Sequence, residues 1–180
     1  MKFLKTFIPG LIVIEPKVFI DERGYFFESY NDKAFLENVG DVKFVQDNES
    51  KSTYGVLRGL HFQKEPYAQA KLLRCIEGNV LDVAVDVRPQ SVTFGKHFSI
   101  VLSGENKKQL FIPKGFAHGF VVLSKEATIA YKVDDFYAPE YDSGIIWNDR
   151  ELNIDWQVSE SELVISKKDK LLKPLSTLFE

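Results

Sequence analysis

Five short runs of β-branched and aromatic residues crowd the middle of the chain: VLDVAVDVR (80–88), HFSIVL (97–102), KQLFIP (108–113), HGFVVL (118–123) and TIAYKV (128–133). Such runs suit the pleated, half-buried surface of a strand. Between them stand turn signals, Glu77-Gly78-Asn79, Arg88-Pro89-Gln90, Ser103-Gly104, Pro113-Lys114-Gly115 and Ala138-Pro139. That spacing leaves no room for crossover helices, so the chain reads as all-β, a sandwich or barrel. Helix is scarce. The best candidate is NDKAFLENVG (31–40), where Asn31 or Asp32 can cap the start and Gly40 can end the segment.

No repeat, low-complexity tract or linker interrupts the 180 residues, which suits one domain spanning 1–180. The formal net charge is −3 with no long basic run, which argues against a nucleic-acid partner and requires any anionic ligand to be held by local cations. The single cysteine, Cys75, excludes an intramolecular disulfide and reads as a buried core thiol in a reducing compartment. Near the N-terminus, Lys5, Pro9, Gly10 and Glu15 break an apolar stretch short of a signal peptide or membrane span. The expectation is a cytoplasmic protein with no membrane association.

Alternation along 80–88 puts Leu81, Val83, Val85 and Val87 on one face and Asp82, Ala84, Asp86 and Arg88 on the other. The polar face is either a solvated outside or a polar pocket inside a barrel. The three histidines, His61, His97 and His118, form no metal-binding pair, and a metal site is disfavoured. His61 stands in YGVLRGLHFQ with Arg58 and Gln63, an unusual density of polar groups in a strand-like run. Strict alternation sends Arg58 and His61 to opposite faces, so both reach one pocket only if the backbone bulges at Gly59. His118 reads as a turn histidine or a site residue, Tyr131 as a core tyrosine with one hydrogen-bonded hydroxyl that pattern alone would not select, and Lys71 as a solvated edge lysine or an inward one matched by a ligand oxygen. His97 has no neighbour that would tune it.

The strings RGYFFESYN, FVQDNESKSTYGVLRGLHFQ, AQAKLLRCIEGNVLDVAVDVR, TFGKHFSIVLSGENKKQLFIPKGFAHGFVVLS and YKVDDFYAPEYDSGIIWND closely resemble the dTDP-4-dehydrorhamnose 3,5-epimerase family, in order from about Phe7 to about Pro174. The resemblance implies a cupin-type jelly-roll barrel with short flanking helices, a homodimer, and no cofactor or metal. The implied reaction takes dTDP-4-dehydro-6-deoxy-D-glucose to dTDP-4-dehydro-L-rhamnose, on the way to dTDP-L-rhamnose, by inverting C3 and C5 beside the C4 ketone. Carried over by position, the base falls on His61, its orienting carboxylate on Asp169 and the acid on Tyr131. Substrate contacts fall on Arg23, Glu28, Gln46, Asn48, Arg58, Lys71 and His118, with Asp142 and Lys168 also near the ligand. In the family, the segment carrying Arg23 and Glu28 can come from the partner subunit. Four positions depart from the family pattern, Phe62 for tyrosine, Glu49 for histidine, Ala70 for glycine and Asp142 for glutamate, and the last shortens a side chain expected at the ligand.

These residue types suit such a reaction. A proton beside a ketone leaves only if the enolate oxygen is stabilised as it forms, a task for Lys71 and Arg58. Histidine is neutral near pH 7 and accepts the proton, and a buried carboxylate fixes its tautomer. Inversion needs a donor on the opposite face, which Tyr131 can be if nearby cations lower its pKa from about 10. Tyr25, Phe26 and Tyr137 offer faces for the thymine, or else belong to the barrel core. The alternatives are a C3-only or C5-only epimerase of a related pathway and a non-catalytic cupin that binds a sugar nucleotide. A metal-dependent cupin oxygenase lacks its histidine and carboxylate triad here.

Overall fold

In the computed structural model, which describes residues 1–178, strands dominate. In chain order they are β1 (Lys2–Lys5), β2 (Ile12–Glu15), β3 (Phe19–Asp21), β4 (Gly24–Phe26), β5 (Gln46–Thr53), β6 (Val56–Gln63), β7 (Lys71–Glu77), β8 (Asn79–Asp86), β9 (His97–Ser103), β10 (Gln109–Ile112), β11 (Phe116–Val122), β12 (Glu126–Val133), β13 (Asp142–Gly144) and β14 (Val164–Ile165). One sheet has the order β1-β2-β10-β7-β12-β5 and the other β13-β6-β11-β8-β9, with β14 against β6. Strands β5 to β12 thus form two facing four-stranded halves, β10-β7-β12-β5 and β6-β11-β8-β9, the order of a jelly roll.

Three apolar layers follow from the alternation of side chains. Between the sheets lie Val13, Leu73, Leu110, Ile112, Phe116, Val122 and Ile129. Outside the second sheet, Leu81, Val83, Val85 and Val87 pack under the C-terminal segment through Ile145, Leu152, Trp156 and Leu175. The polar face of 80–88 therefore looks inward: Asp82 and Asp86 are fully buried and Ala84 joins the inner core. Asp149 fastens the C-terminal cover by accepting from the Glu151, Leu152 and Leu175 amides at 2.8, 3.0 and 2.7 Å.

Outside the first sheet lies α1 (Asp32–Asn38), capped by the Asn31 carboxamide oxygen, which accepts from the Ala34 amide at 3.0 Å. A seven-residue helix has little stability alone. Phe35 anchors it, with ring contacts to Phe3, Tyr30, Phe44 and Phe111 at 5.1–5.8 Å. The remaining helical pieces are 3-10 turns, at Pro139–Tyr141, Glu160–Glu162, Asp169–Leu171 and Leu175–Thr177. The β3–β4 hairpin leaves Phe19, Ile20, Tyr25 and Phe26 exposed. No helix of the described residues is long and apolar enough to cross a membrane.

Strand β5, QDNESKST, carries no apolar residue and was not legible as a strand from hydrophobicity. It pairs with β12 along its whole length, and its buried and exposed positions alternate. Gln46, Asn48 and Ser50 line a cavity while Asp47, Glu49 and Lys51 face solvent, so both faces are wet.

Candidate active site

A cavity opens between the two sheets, with an inner lobe of about 500 Å³ and an outer lobe of about 400 Å³ that share His61, Lys71 and Tyr131. One wall belongs to the second sheet. There His61 of β6 and His118 of β11 stand directly opposite each other in the ladder. Each imidazole is held by a buried carboxylate: His61 Nε2 lies 2.9 Å from Asp169 Oδ1, and His118 Nε2 lies 2.9 Å from Asp82 Oδ2. Asp169 reaches its place on a 3-10 turn of the C-terminal segment and also accepts from the Gly59 amide at 3.2 Å.

The bulge required at Gly59 is present. His118 pairs with His61 but Phe120 pairs with Arg58, so β6 carries one residue more than β11 across this interval. Side-chain parity is thereby reset, and Arg58 lines the inner lobe with His61. Gly59 has φ +134°, and a Cβ there would stand 2.5 Å from Gly119 Cα, so backbone contact excludes a larger residue. Arg58 Nε donates to Ser52 Oγ at 3.2 Å.

The opposite wall belongs to the first sheet. Tyr131 follows Ala127 and Ile129 on the inner face of β12, at the point where the apolar core gives way to the cavity. Lys71 begins β7, and its Nζ donates a long 3.5 Å bond to the His61 carbonyl. Gln46 and Asn48 of β5, joined by a 2.8 Å hydrogen bond, line the outer lobe with Tyr137, Asp142 and Lys168. Lys168 and Asp142 form an ion pair, which raises the Lys168 pKa, so the shorter carboxylate at 142 remains in the lobe.

Burial tunes these groups. It lowers the His61 pKa, against the charge and hydrogen bond of Asp169, which keeps the imidazole neutral near pH 7 as a base requires. It also lowers the Lys71 ammonium to about 8, opposed by the charges of Asp82 and Asp142. Tyr131 departs from the sequence expectation. Burial raises its pKa, and Arg58 offsets this only in part, so the phenol holds its proton more firmly than a free tyrosine.

The structure places the other residues singled out in the sequence as follows. His118 sits within a strand and not in a turn. Arg23 and Phe26 lie on the β3–β4 hairpin and Glu28 just beyond it; Arg23 pairs with Asp21, Glu28 accepts from Asn31 at 3.3 Å, and none of the three lines the cavity of this chain. Tyr25 and Phe26 are exposed and not part of a core. Phe62 joins the core beneath the C-terminal cover, Glu49 faces outward, and Ala70 is buried. Cys75 is buried, donates to the Glu77 and Gly78 carbonyls at 3.0 and 3.3 Å, and is pushed up to about 11 by burial. No group of three or more His, Cys, Asp or Glu side chains among the described residues is arranged to hold a metal ion. Asp82, the partner of His118, was missed as a site residue, although the polar alternation along 80–88 marked its face. Gln63, two residues from His61 on the same strand, lines the outer lobe.

Known proteins match this chain along most of its length. The family model described as dTDP-4-dehydrorhamnose 3,5-epimerase matches residues 5–177. A relative from Shigella flexneri with that name is 58% identical over 170 residues, covering 94% of this chain and 93% of its own. The crystal structure of an enzyme so named from Elizabethkingia anophelis superposes with a TM-score of 0.95 at 53% identity, over 98% of this chain and 97% of that one. A dTDP-6-deoxy-D-glucose-3,5-epimerase from Legionella pneumophila, solved in complex with dTDP-4-keto-L-rhamnose, gives a TM-score of 0.94 at 48% identity, over 98% of this chain and 94% of that one. With a jelly roll open over two histidine–carboxylate pairs, and with matches of this extent and identity, the chain belongs to the dTDP-4-dehydrorhamnose 3,5-epimerase family.

Proposed function

We propose that the protein is a cofactor-independent dTDP-4-dehydrorhamnose 3,5-epimerase, which converts dTDP-4-dehydro-6-deoxy-D-glucose to dTDP-4-dehydro-L-rhamnose in the cytoplasmic synthesis of dTDP-L-rhamnose. The observation that carries this reading is the opposed arrangement: His61 on one sheet, held by Asp169 of the C-terminal segment, Tyr131 on the facing sheet, and Lys71 reaching toward the His61 backbone. His61 Nε2 is engaged by Asp169, so Nδ1 is the atom left to take the carbon-bound proton. Electrons from that C–H bond move to the C4 oxygen, where Lys71 and Arg58 stabilise the enolate. Tyr131 then returns a proton from the other side, and its raised pKa keeps it protonated until the carbanion forms. His61 then releases its proton to solvent and the Tyr131 oxygen takes one from solvent, and repetition at the second carbon, flanking the same ketone, gives the double inversion.

In this reading the outer lobe takes the nucleotide, with Gln46, Asn48 and Lys168 as polar contacts, Asp142 as the Lys168 partner and Tyr137 as a face for the thymine. His118, held by Asp82, contacts the sugar. Arg23, Phe26 and Glu28 serve the second protomer of a homodimer; a hairpin exposing four large apolar side chains supports that role, since exposed apolar patches mark interaction surfaces.

Turnover in deuterated buffer, coupled to a rhamnose-forming reductase, tests the proposal. The product should carry deuterium at both C3 and C5. Labelling and inversion at one carbon only would establish a single-site epimerase, and binding without exchange would establish a non-catalytic cupin. Tyr131→Phe should retain exchange while losing most inversion, because the base and the enolate-stabilising cations survive.

A further inference from the structure

Two loops rim the outer lobe, residues 64–70 between β6 and β7 and residues 134–141 between β12 and β13. Polar contacts lace them together. Gln69 Nε2 donates to the Asp135 carbonyl at 2.7 Å, the Ala70 amide donates to Asp134 Oδ1 at 2.6 Å, and the Lys64 amide donates to the Tyr141 carbonyl at 2.9 Å. Beneath both loops sits Gln63, the last residue of β6 and only 5% exposed. Its Nε2 donates to the Tyr67 carbonyl at 2.7 Å and to the Phe136 carbonyl at 3.1 Å, and its Oε1 accepts from the Ala138 amide at 2.7 Å.

The geometry of the last two bonds is specific. The Phe136 carbonyl and the Ala138 N–H belong to the two peptide groups on either side of Tyr137. A single side-chain amide therefore grips Tyr137 at both flanks, as a neighbouring strand would grip a residue through its backbone. Meanwhile the Tyr137 side chain lines the outer lobe, and the residue is 58% exposed. An exposed aromatic on a loop loses conformational freedom when a ligand stacks on it, and fixing its backbone in advance lowers that cost.

We infer that Gln63 is a positioning residue that presets Tyr137 as the stacking platform for the nucleobase, acting on nucleotide affinity and not on the proton-transfer groups. The inference rests on the reading of Tyr137 as the thymine face. Its neighbours Lys168 and Asp142 supply charge in the same lobe but are paired with each other and do not bond to this loop's gripped peptides.

A double-mutant cycle tests it. Gln63→Met, close in volume, removes all three bonds; dTDP affinity by calorimetry and kcat and KM in the coupled assay are measured with Tyr137 intact and with Tyr137→Ala. Dissociation constant and KM should rise about three- to tenfold with Tyr137 present, the size expected for one newly mobile side chain, with a smaller change in kcat. In the Tyr137→Ala background the same substitution should add less than about twofold, because the group through which it acts is gone. Full weakening in both backgrounds would reduce Gln63 to general loop packing and overturn the inference, as would unchanged dTDP affinity in folded Gln63→Met. A Tyr137→Ala protein that binds dTDP as tightly as the wild type would instead sink the thymine-face reading itself. Should Gln63→Met not fold, Gln63→Glu keeps the acceptor for Ala138, loses both donated bonds, and carries the same cycle with the same expectations.

Discussion

Replacing Lys71 by methionine should make the unliganded protein more stable while removing its activity. Lys71 is half-buried in the cavity wall, and its Nζ donates a long 3.5 Å bond to the His61 carbonyl. Burial lowers its pKa from 10.5 to about 8, although Asp82 and Asp142 pull the other way. At about 1.36 kcal/mol per unit, a fall of that size makes the charged lysine about 3 kcal/mol less favourable in the folded protein than in the unfolded chain. Because the folded pKa lies below the unfolded one, this cost is borne in full below about pH 8 and disappears as pH rises toward 10.5. Methionine has a similar reach and no charge, so Lys71→Met should gain about 3 kcal/mol at pH 7, or about 6–12 °C in Tm for a chain of this length. Urea unfolding at pH 7 and pH 10, at fixed protein concentration, reads both values. Turnover should fall by about 10²–10³, the usual cost of losing one stabiliser of a developing oxyanion. A Lys71→Met protein no more stable than wild type at pH 7, or a gap unchanged at pH 10, would show that the ammonium is already satisfied without a ligand and would refute the reasoning.

Two further outcomes follow from the other buried charges. Asp169→Asn should lower the plateau of kcat/KM by about 10²-fold and move its acidic limb to lower pH, since burial already depresses the His61 pKa and Asp169 is what opposes it; an acidic limb that stays in place would remove Asp169 as the partner of the base. Burial pushes Asp86 up, but hydrogen bonds from Arg88, Ser91 and Thr93 outweigh it and bring the carboxyl to about 2 from 3.8. Its contribution, about 2 kcal/mol, is therefore present above about pH 4 and lost as pH falls toward 2, so Asp86→Asn should flatten that part of the acid-unfolding curve, and a curve of unchanged shape would count against the network.

Local pattern alone determined a good deal of this protein. The runs at 80–88, 97–102, 108–113, 118–123 and 128–133 became β8 to β12, and within the segment 31–40 a helix formed over Asp32–Asn38 with Asn31, one of the two cap candidates, as its cap, because strand alternation and capping depend on residues a few positions apart. Asp169 as the partner of His61 was legible only through resemblance, since the two are 108 positions apart and no periodicity links them. What lies inside was decided by the tertiary structure. The polar face of β8 turned inward because the C-terminal segment covers its apolar face, and β5 became a strand without apolar residues because its inward positions line a cavity where a core would otherwise be. Arg58 and His61 share a wall because one extra residue at Gly59 resets the alternation, a shift that depends on the register with β11 and not on β6 itself. Even the direction of the Tyr131 shift came from packing: the donor role called for nearby cations to lower its pKa, but the burial of its side chain between two sheets outweighs Arg58, and desolvation is a property of the assembled walls.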